Sequence, residues 1–297
     1  MDSYLVIQKM DVTEASMDSS PIVNGFPGIP AIMGFVHALQ RKLQSGYPGI
    51  LLPLAGVSCH FFEPRVRKTG WQARLSLSKN PPYLKKHVEK DKNGLLKGVP
   101  FIEEGKADMR VSLIIKIQGE GLNFSELKRD VQDLLPSMRF AGGTIWGAEN
   151  IVCRNCGDEA DEKRLLRLLM PGFALVERRD LIEELMEDGK DALDALLDHL
   201  EIRREEDENG QTVGWRRKTE EPGWLVPIAV GYRAISETGQ VKNQRDPECL
   251  HCFAENVITL GEFVMPIRLG RLREVLWQPS VDEAHGMYVY TNQNKGE

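Results

Sequence analysis

The chain is 297 residues long, 41% hydrophobic and 28% charged, with a net charge of −6, an ordinary globular balance with room for one large domain or two modest ones. No apolar run approaches the roughly 20 residues that cross a bilayer, and Met1-Asp2-Ser3-Tyr4 lacks the basic and apolar regions of a signal peptide. A membrane partner is thereby excluded, a cytoplasmic location is expected, and the net negative charge argues on its face against a nucleic-acid ligand.

Tyr4 to Lys9 reads as a short strand, with Leu5 and Ile7 on one side and Val6 and Gln8 on the other. A loop rich in Ser, Pro and Gly (residues 19–30) leads to Pro30, placed where a helix tolerates proline. Ile32, Phe35, Val36, Leu39 and Leu43 then recur at helical spacing, with Arg41 and Lys42 near the negative end of the dipole. Residues 50–62 hold strand-like runs broken by Pro53 and Gly56, and residues 71–77 alternate. The basic stretch 83–99 surrounds Asn93-Gly94, a type I′ turn signal, so this arm reads as a protruding hairpin or loop. Met109 to Ile117 reads as a strand. Asn123 to Leu135 reads as an amphipathic helix, with Leu127, Val131, Leu134 and Leu135 on one side. Arg139 to Trp146 carries Ala141-Gly142-Gly143, a strand or turn where the backbone comes close to something.

The β-α-β … β-α-β order to this point suits an α+β fold with an RRM- or ferredoxin-like core. Asp158 to Leu200 then reads as an acidic helical segment, residues 205–210 as a charged turn, and Trp224 to Val230 as a last apolar strand. Three regions follow: a core with a basic arm (residues 1–152, the arm at about 64–100), an acidic helical insertion (153–222), and C-terminal strands completing the core (223–297).

Charge is sorted along the chain. Residues 64–98 hold ten cations (Arg65, Arg67, Lys68, Arg74, Lys79, Lys85, Lys86, Lys90, Lys92, Lys97) against Glu89 and Asp91. Residues 155–221 hold twenty carboxylates against eleven cations. Such sorting implies two surfaces with different partners: one suited to phosphates, the other to solvent or a basic protein.

Four constellations could carry chemistry. In the first, Arg65, Arg67, Lys68, Trp71 and Arg74 set cations beside an aromatic ring, the pairing that neutralises phosphates while a base stacks. If extended, the segment puts Arg65, Arg67 and Trp71 on one face and Lys68 and Arg74 on the other; a solvated edge strand would look the same. In the second, Gly142 and Gly143, next to Arg139, let backbone N–H groups approach phosphate or base edges, or else form a tight turn. In the third, Cys153-Arg154-Asn155-Cys156 and Cys249-Leu250-His251-Cys252 could together give a structural zinc four thiolates, provided the fold brings them together across the 92 residues between them. Unrelated reduced thiols are the alternative. The fourth is His37, which could act as an acid–base residue for RNA cleavage, but its neighbours Phe35, Val36 and Leu39 favour a packed, hydrogen-bonded ring.

Several stretches, taken together, resemble one family. Gly34-Phe35-Val36-His37-Ala38-Leu39-Gln40-Arg41, Met138-Arg139-Phe140-Ala141-Gly142-Gly143-Thr144-Ile145, Leu169-Met170-Pro171-Gly172-Phe173-Ala174-Leu175-Val176 and Gly223-Trp224-Leu225-Val226-Pro227-Ile228 with Gly231-Tyr232 are similar, in order, to the Cas-five-type (Csy two) subunit of type I-F CRISPR surveillance complexes. The resemblance implies an RRM-like core with a thumb and a helical insertion. It also implies a non-catalytic role, holding the 5′ handle of the CRISPR RNA beside the large subunit and the first backbone subunit, with target DNA near by. By position the arm from Arg65 to Lys97 would be the thumb, and its Lys79, Lys85 and Lys86 would join the other arm cations, Arg139 and the two glycines on the RNA. Precursor cutting belongs to another subunit, so His37 would not be catalytic. A metal-independent endoribonuclease on the same fold, using His37, and a zinc-stabilised scaffold that touches proteins only are the competing readings.

Overall fold

The computed structural model describes residues 2–70, 72–76, 78–79, 92–94, 101–102, 104–206, 211–218, 223–244 and 246–292. Strand β1 (Asp2–Ser16) is followed by a small ribbon, β2 (Asp18–Ser20) and β3 (Val23–Asn24), and by helix α1 (Ile29–Leu43) with proline in its first turn. Next come β4 (Ala55–Pro64), the hairpin β5 (Val66–Thr69) and β6 (Gln72–Leu75), the ribbon β7 (Ser78–Lys79) and β8 (Phe101–Ile102), and β9 (Lys106–Ile117). Helix α2 (Phe124–Leu134) starts where the Asn123 side chain accepts from the N–H groups of Ser125 and Glu126 at 3.0 and 3.4 Å. After it, β10 (Arg139–Phe140) turns tightly into β11 (Gly143–Cys156). Helix α3 (Glu159–Leu168), strand β12 (Phe173–Glu177), helices α4 (Arg179–Glu187) and α5 (Ala192–Leu200), and the ribbon β13 (Ile202–Glu206) and β14 (Thr212–Arg217) follow. The chain closes with β15 (Leu225–Ala234), β16 (Ala254–Val264), β17 (Trp277–Asp282) and β18 (Met287–Asn292).

Ten of these strands form one sheet in the order β10-β11-β1-β9-β4-β12-β16-β15-β18-β17, and β17 then meets β4 again. Within the first half, β1, β4, β9 and β11 are antiparallel to their neighbours. Helices α1 and α2 cover one face of that half: Ile32, Val36, Leu39, Leu127 and Val131 are buried with Leu5, Ile7, Val111 and Leu113. On the opposite face, Leu165 and Leu166 of α3 are buried with Tyr4, Val6 and Ile114. Alternate residues of β1 thus feed two cores, as a pleated strand requires. Helices α4 and α5 make a third, smaller cluster, in which Leu181, Ile182 and Leu196 meet Leu225 and Leu260. Where the sheet returns on itself, Trp277 is 1% exposed and its indole N–H donates to the Leu175 carbonyl at 3.1 Å.

Four expectations need correction. The first strand runs well past Lys9, because Lys9 and Glu14 adopt positive φ (47° and 59°) and the ladder slips beside them. Each bulge resets the alternation on which a strand is read. The segment Asp158–Leu200 is not helical throughout: Phe173–Glu177, an apolar run after Pro171-Gly172, enters the large sheet between β4 and β16. A short apolar run fits a buried strand as well as a buried helix, and the proline settles it locally. Nor is the strand at Trp224–Val230 the last, since β16, β17 and β18 follow with polar positions (Glu255, Gln278, Asp282) that dilute their apolar pattern. Finally, residues 205–206 belong to strand β13 rather than to a turn; residues 207–210 lie outside the described residues.

Candidate nucleic-acid interface

Strand β4 carries the chain out of the core, and Arg65 marks the root of the arm. Its guanidinium donates to Asp108 of β9 at 2.9–3.2 Å and to Glu14 of β1 at 2.5 Å. The bond to Asp108 makes Arg65 still harder to deprotonate. Burial works against the Asp108 charge, but Arg65 and the Glu14 N–H outweigh it and hold the carboxyl below its usual range. Arg65 is therefore an anchor joining the arm to two core strands.

Beyond it, β5 and β6 form a hairpin turning at Gly70 (φ +60°). A two-residue turn folds the second strand back, so Arg67 lies directly opposite Arg74, and Lys68 opposite Ala73. This corrects the facing expected of a single extended segment: Arg67 and Arg74 share one face, and Lys68 points the other way. Arg67, Lys68 and Arg74 are exposed, and none has an ion-pair partner among the described residues. Two like charges directly across a ladder repel; an anion between them would remove that repulsion. Lys79 lies on β7, while Trp71, Lys85, Lys86 and the strands expected around Asn93-Gly94 fall outside the described residues.

The paired glycines make a tight turn. Ala141 and Gly142 both have positive φ (47° and 78°), linking Phe140 to Gly143. Gly142 faces open space, whereas a Cβ on Gly143 would stand 2.7 Å from the Thr13 carbonyl oxygen and 2.8 Å from the Ala15 nitrogen. Gly143 thus serves close packing of β11 on β1. Exposed Arg139 donates to the Thr144 hydroxyl at 2.6 Å. A shallow cleft of about 280 Å³ connects Arg139, Ala141 and Gly142 with Gly34 and Ala38 of α1.

Other expected residues do not converge. On β11, Cys153 packs with the α1–α2 core and Cys156 with the α3 core, so one strand sends the two thiols to opposite faces. Burial pushes the Cys153 thiol up to about 11; burial, then Glu162 and Asp161, raise Cys156 as well. Cys249 and Cys252 sit in the loop between β15 and β16, all five cysteines are free thiols, and no group of three metal-type side chains forms among the described residues. His37 is exposed on the outer side of α1, not packed as expected; the buried stripe is Ile29, Ile32, Met33, Phe35, Val36, Leu39 and Leu43.

A Ser–His contact that the sequence does not flag lies nearby. The Ser112 hydroxyl and His60 Nε2 are 2.6 Å apart, His60 Nδ1 lies 2.5 Å from the Pro171 carbonyl, and the Lys9 N–H donates to Ser112 Oγ at 2.9 Å. With Nδ1 donating to that carbonyl, Nε2 accepts the serine proton. Burial, partly opposed by the Pro171 carbonyl, lowers the His60 pKa, which favours the neutral ring. Ser112 is 0% exposed, so its oxygen is closed to substrate and the contact stitches β1, β4, β9 and the loop before β12 together.

The uncovered part of the sheet face, next to that contact, was also not legible in the sequence. Asp11, Thr13, His60, Phe61, Asp108, Arg110 and Trp146 line a cleft of about 690 Å³. Trp146 is 71% and Phe61 49% exposed. The Trp146 indole N–H donates to the Thr13 hydroxyl at 2.9 Å, and Arg110 pairs with Asp11 at 2.6 Å. On its other side Phe61 borders an aromatic cleft of about 370 Å³ with Phe173, Trp224 and Phe263.

Comparison with known proteins places this geometry in context. Residues 5–290 match the model of the family described as "CRISPR-associated protein (Cas_Csy2)". The chain is also similar to the CRISPR-associated protein Csy2 of Pseudomonas aeruginosa (strain UCBPP-PA14): 33% identical over 323 aligned positions, covering 98% of this chain and 95% of that one.

Proposed function

The chain belongs to the Csy2 family of CRISPR-associated proteins, and we propose that it serves a type I-F Cascade complex as a non-catalytic subunit that grips the 5′ handle of the CRISPR RNA. The observation that carries this reading is the Arg67–Arg74 pair, two exposed cations set opposite each other on a hairpin and left without acidic partners among the described residues. Phosphates supply the missing charge, and Lys68, Arg139 and the lysines of the arm extend the track.

The order β1-α1-β4-β9-α2-β11, with β11 and β9 flanking β1 and β4 beyond β9, supports reading the first half as an RRM-like core. The arm then occupies the place of a thumb between the second and third core strands. The acidic region around α3, α4 and α5 repels phosphate and suits the large subunit, leaving the arm side for the first backbone subunit.

A gel-shift series with the assembled complex tests the proposal. Arg67→Glu with Lys68→Glu should abolish capture of the guide's 5′ end; unchanged capture refutes the assignment. Incubating the isolated chain with precursor RNA addresses the endoribonuclease alternative: discrete products lost in His37→Ala would favour it.

A further inference from the structure

The aromatic cleft on the far side of Phe61 has a chemistry of its own. Five rings make its wall in series: Phe62 meets Phe26, Phe26 meets Phe263, Phe263 meets Trp224 and Trp224 meets Phe173, with centroids 5.2–5.9 Å apart. Phe61 completes the rim. Phe61, Phe173 and Trp224 are 49%, 40% and 55% exposed, so about 370 Å³ of aromatic-lined space opens to the surface. Because each ring leans on the next, the wall is formed before anything binds, and filling it costs little ordering.

The polar side chains of this cleft are already engaged. Both ring nitrogens of His60 are taken, by the Pro171 carbonyl and the Ser112 hydroxyl, and the Cys59 thiol donates to the Phe61 carbonyl at 3.5 Å. Burial pushes the Cys59 thiol up to about 11 and lowers His60, so both stay uncharged. Among the described residues no lysine or arginine lines the space. A nucleotide entering here would strip water from its base edge with little to replace it, and its phosphate would find no cation. An apolar side chain meets neither penalty. The volume, at the small end of the roughly 300–1,000 Å³ typical of ligand pockets, suits one large side chain.

Charge beside the mouth says what carries that side chain. Trp224 precedes Leu225, which is buried with Leu181 and Ile182, so helix α4 stands next to the Trp224 rim. The helix and the residue after it expose Glu183, Glu187 and Asp188, none with an ion-pair partner among the described residues. Arg178 and Arg179, where the helix starts, are occupied by Asp180 and Glu262 and by Glu177. A segment lying along α4 therefore gains from cations next to its apolar anchor.

We infer that the aromatic cleft anchors one large apolar side chain of a neighbouring protein subunit, presented by a segment whose basic residues lie along α4. The inference goes beyond the guide-holding reading and shares with it only membership of a multi-subunit assembly.

Site-specific photo-cross-linking of the purified complex tests it. p-Benzoylphenylalanine replaces Asn24, an exposed residue of the rim, which leaves every ring in place. After irradiation the adducts are located by mass spectrometry. The expected adduct is a peptide of another protein subunit in which a large apolar residue has lysine or arginine beside it. Phe173→Ser should then raise the dissociation rate of that subunit about tenfold or more, as truncating a central interface anchor does. Glu183→Lys with Glu187→Lys alters exposed positions only; it should slow association of the same subunit and flatten the salt dependence of that rate.

An adduct on the guide or a target strand, on a second copy of this chain, or on a peptide without cations overturns the inference, as does a complex that yields no adduct. Dissociation unchanged in Phe173→Ser overturns it too. Should that variant fail to fold, the charge-reversed pair decides, and unchanged association is then the refuting result. Guide capture by the wild-type complex, followed in parallel by gel shift, reports on the arm, so either reading can fail alone.

Discussion

Replacing Arg67 and Arg74 together by glutamine separates a binding role from a structural one, because the two roles predict opposite signs. Each arginine that neutralises a phosphate of a single strand contributes about 0.7 to the slope of log affinity against log salt, so losing both should flatten that slope by about 1.4. Between 0.05 and 0.2 M salt the wild-type advantage then shrinks by about sevenfold. Stability should move the other way. The two arginines sit at directly opposed positions of the β5–β6 ladder without a counter-charge among the described residues; relieving a directly opposed like-charge pair leaves the fold unchanged or gains up to about 1 kcal/mol. Arg65→Gln makes the contrast: that side chain is engaged by Asp108 and Glu14, so its loss should cost about 1 kcal/mol of stability with less effect on the slope. Fluorescence anisotropy of a labelled guide fragment, titrated with complex across a salt series, reads the slope, and thermal melts read stability. Wild-type and double-variant lines that run parallel would refute the phosphate contacts.

Three further outcomes follow from the geometry. Gly143→Ala drives a methyl into the backbone of Thr13 and Ala15 and should cost about 1–3 kcal/mol in urea denaturation, against about 1–2 kcal/mol for Gly142→Ala, which meets open space and suffers only its positive φ; equal, negligible costs would contradict the packing role. Glu177 is 5% exposed, and burial raises its carboxyl pKa despite Arg179 and the Asn292 N–H. A group whose folded pKa lies above the unfolded one stabilises most below the ordinary glutamate range and loses that contribution as pH rises through the folded value. On going from about pH 4 to pH 7, the wild-type melting temperature should therefore fall relative to that of Glu177→Gln; identical pH profiles would show that the burial is offset in full. Because Cys153 and Cys156 point to opposite faces of the sheet, a chelator should leave the melting temperature unaltered, and a chelator-dependent drop would mean that the thiols meet a metal.

What the sequence disclosed tracks the strength of local periodicity. Helix α1, with five apolar residues in register and a leading proline, was legible almost to the residue, and so was α2 from the spacing of Leu127, Val131, Leu134 and Leu135. Strand β9 showed itself because its buried positions are nearly continuous. By contrast, β1 hid its second half behind two bulges, and β16 to β18 hid behind polar residues. The arm's charge could be counted from the sequence, but the pairing of Arg67 with Arg74 could not, because the two-residue turn at Gly70 inverts the facing a straight segment would have. Trp146 and Phe61 lie far apart in sequence and share a cleft only because sheet order interposes β1 and β9 between β11 and β4. No local pattern encodes that neighbourhood.

Strand β4 has a further consequence for dividing this protein. One edge is fully occupied by β9; the other is shared, with Ser58 and Cys59 bonded to β12 and Ala55 to β17. A fragment ending at Cys156 would keep its two helices and four main strands but leave that second edge bare, with the apolar ring face of Trp277 missing from behind it. Bare edges recruit other chains. The late strands therefore cover that edge, and any truncation meant to isolate the early half must supply a substitute for them.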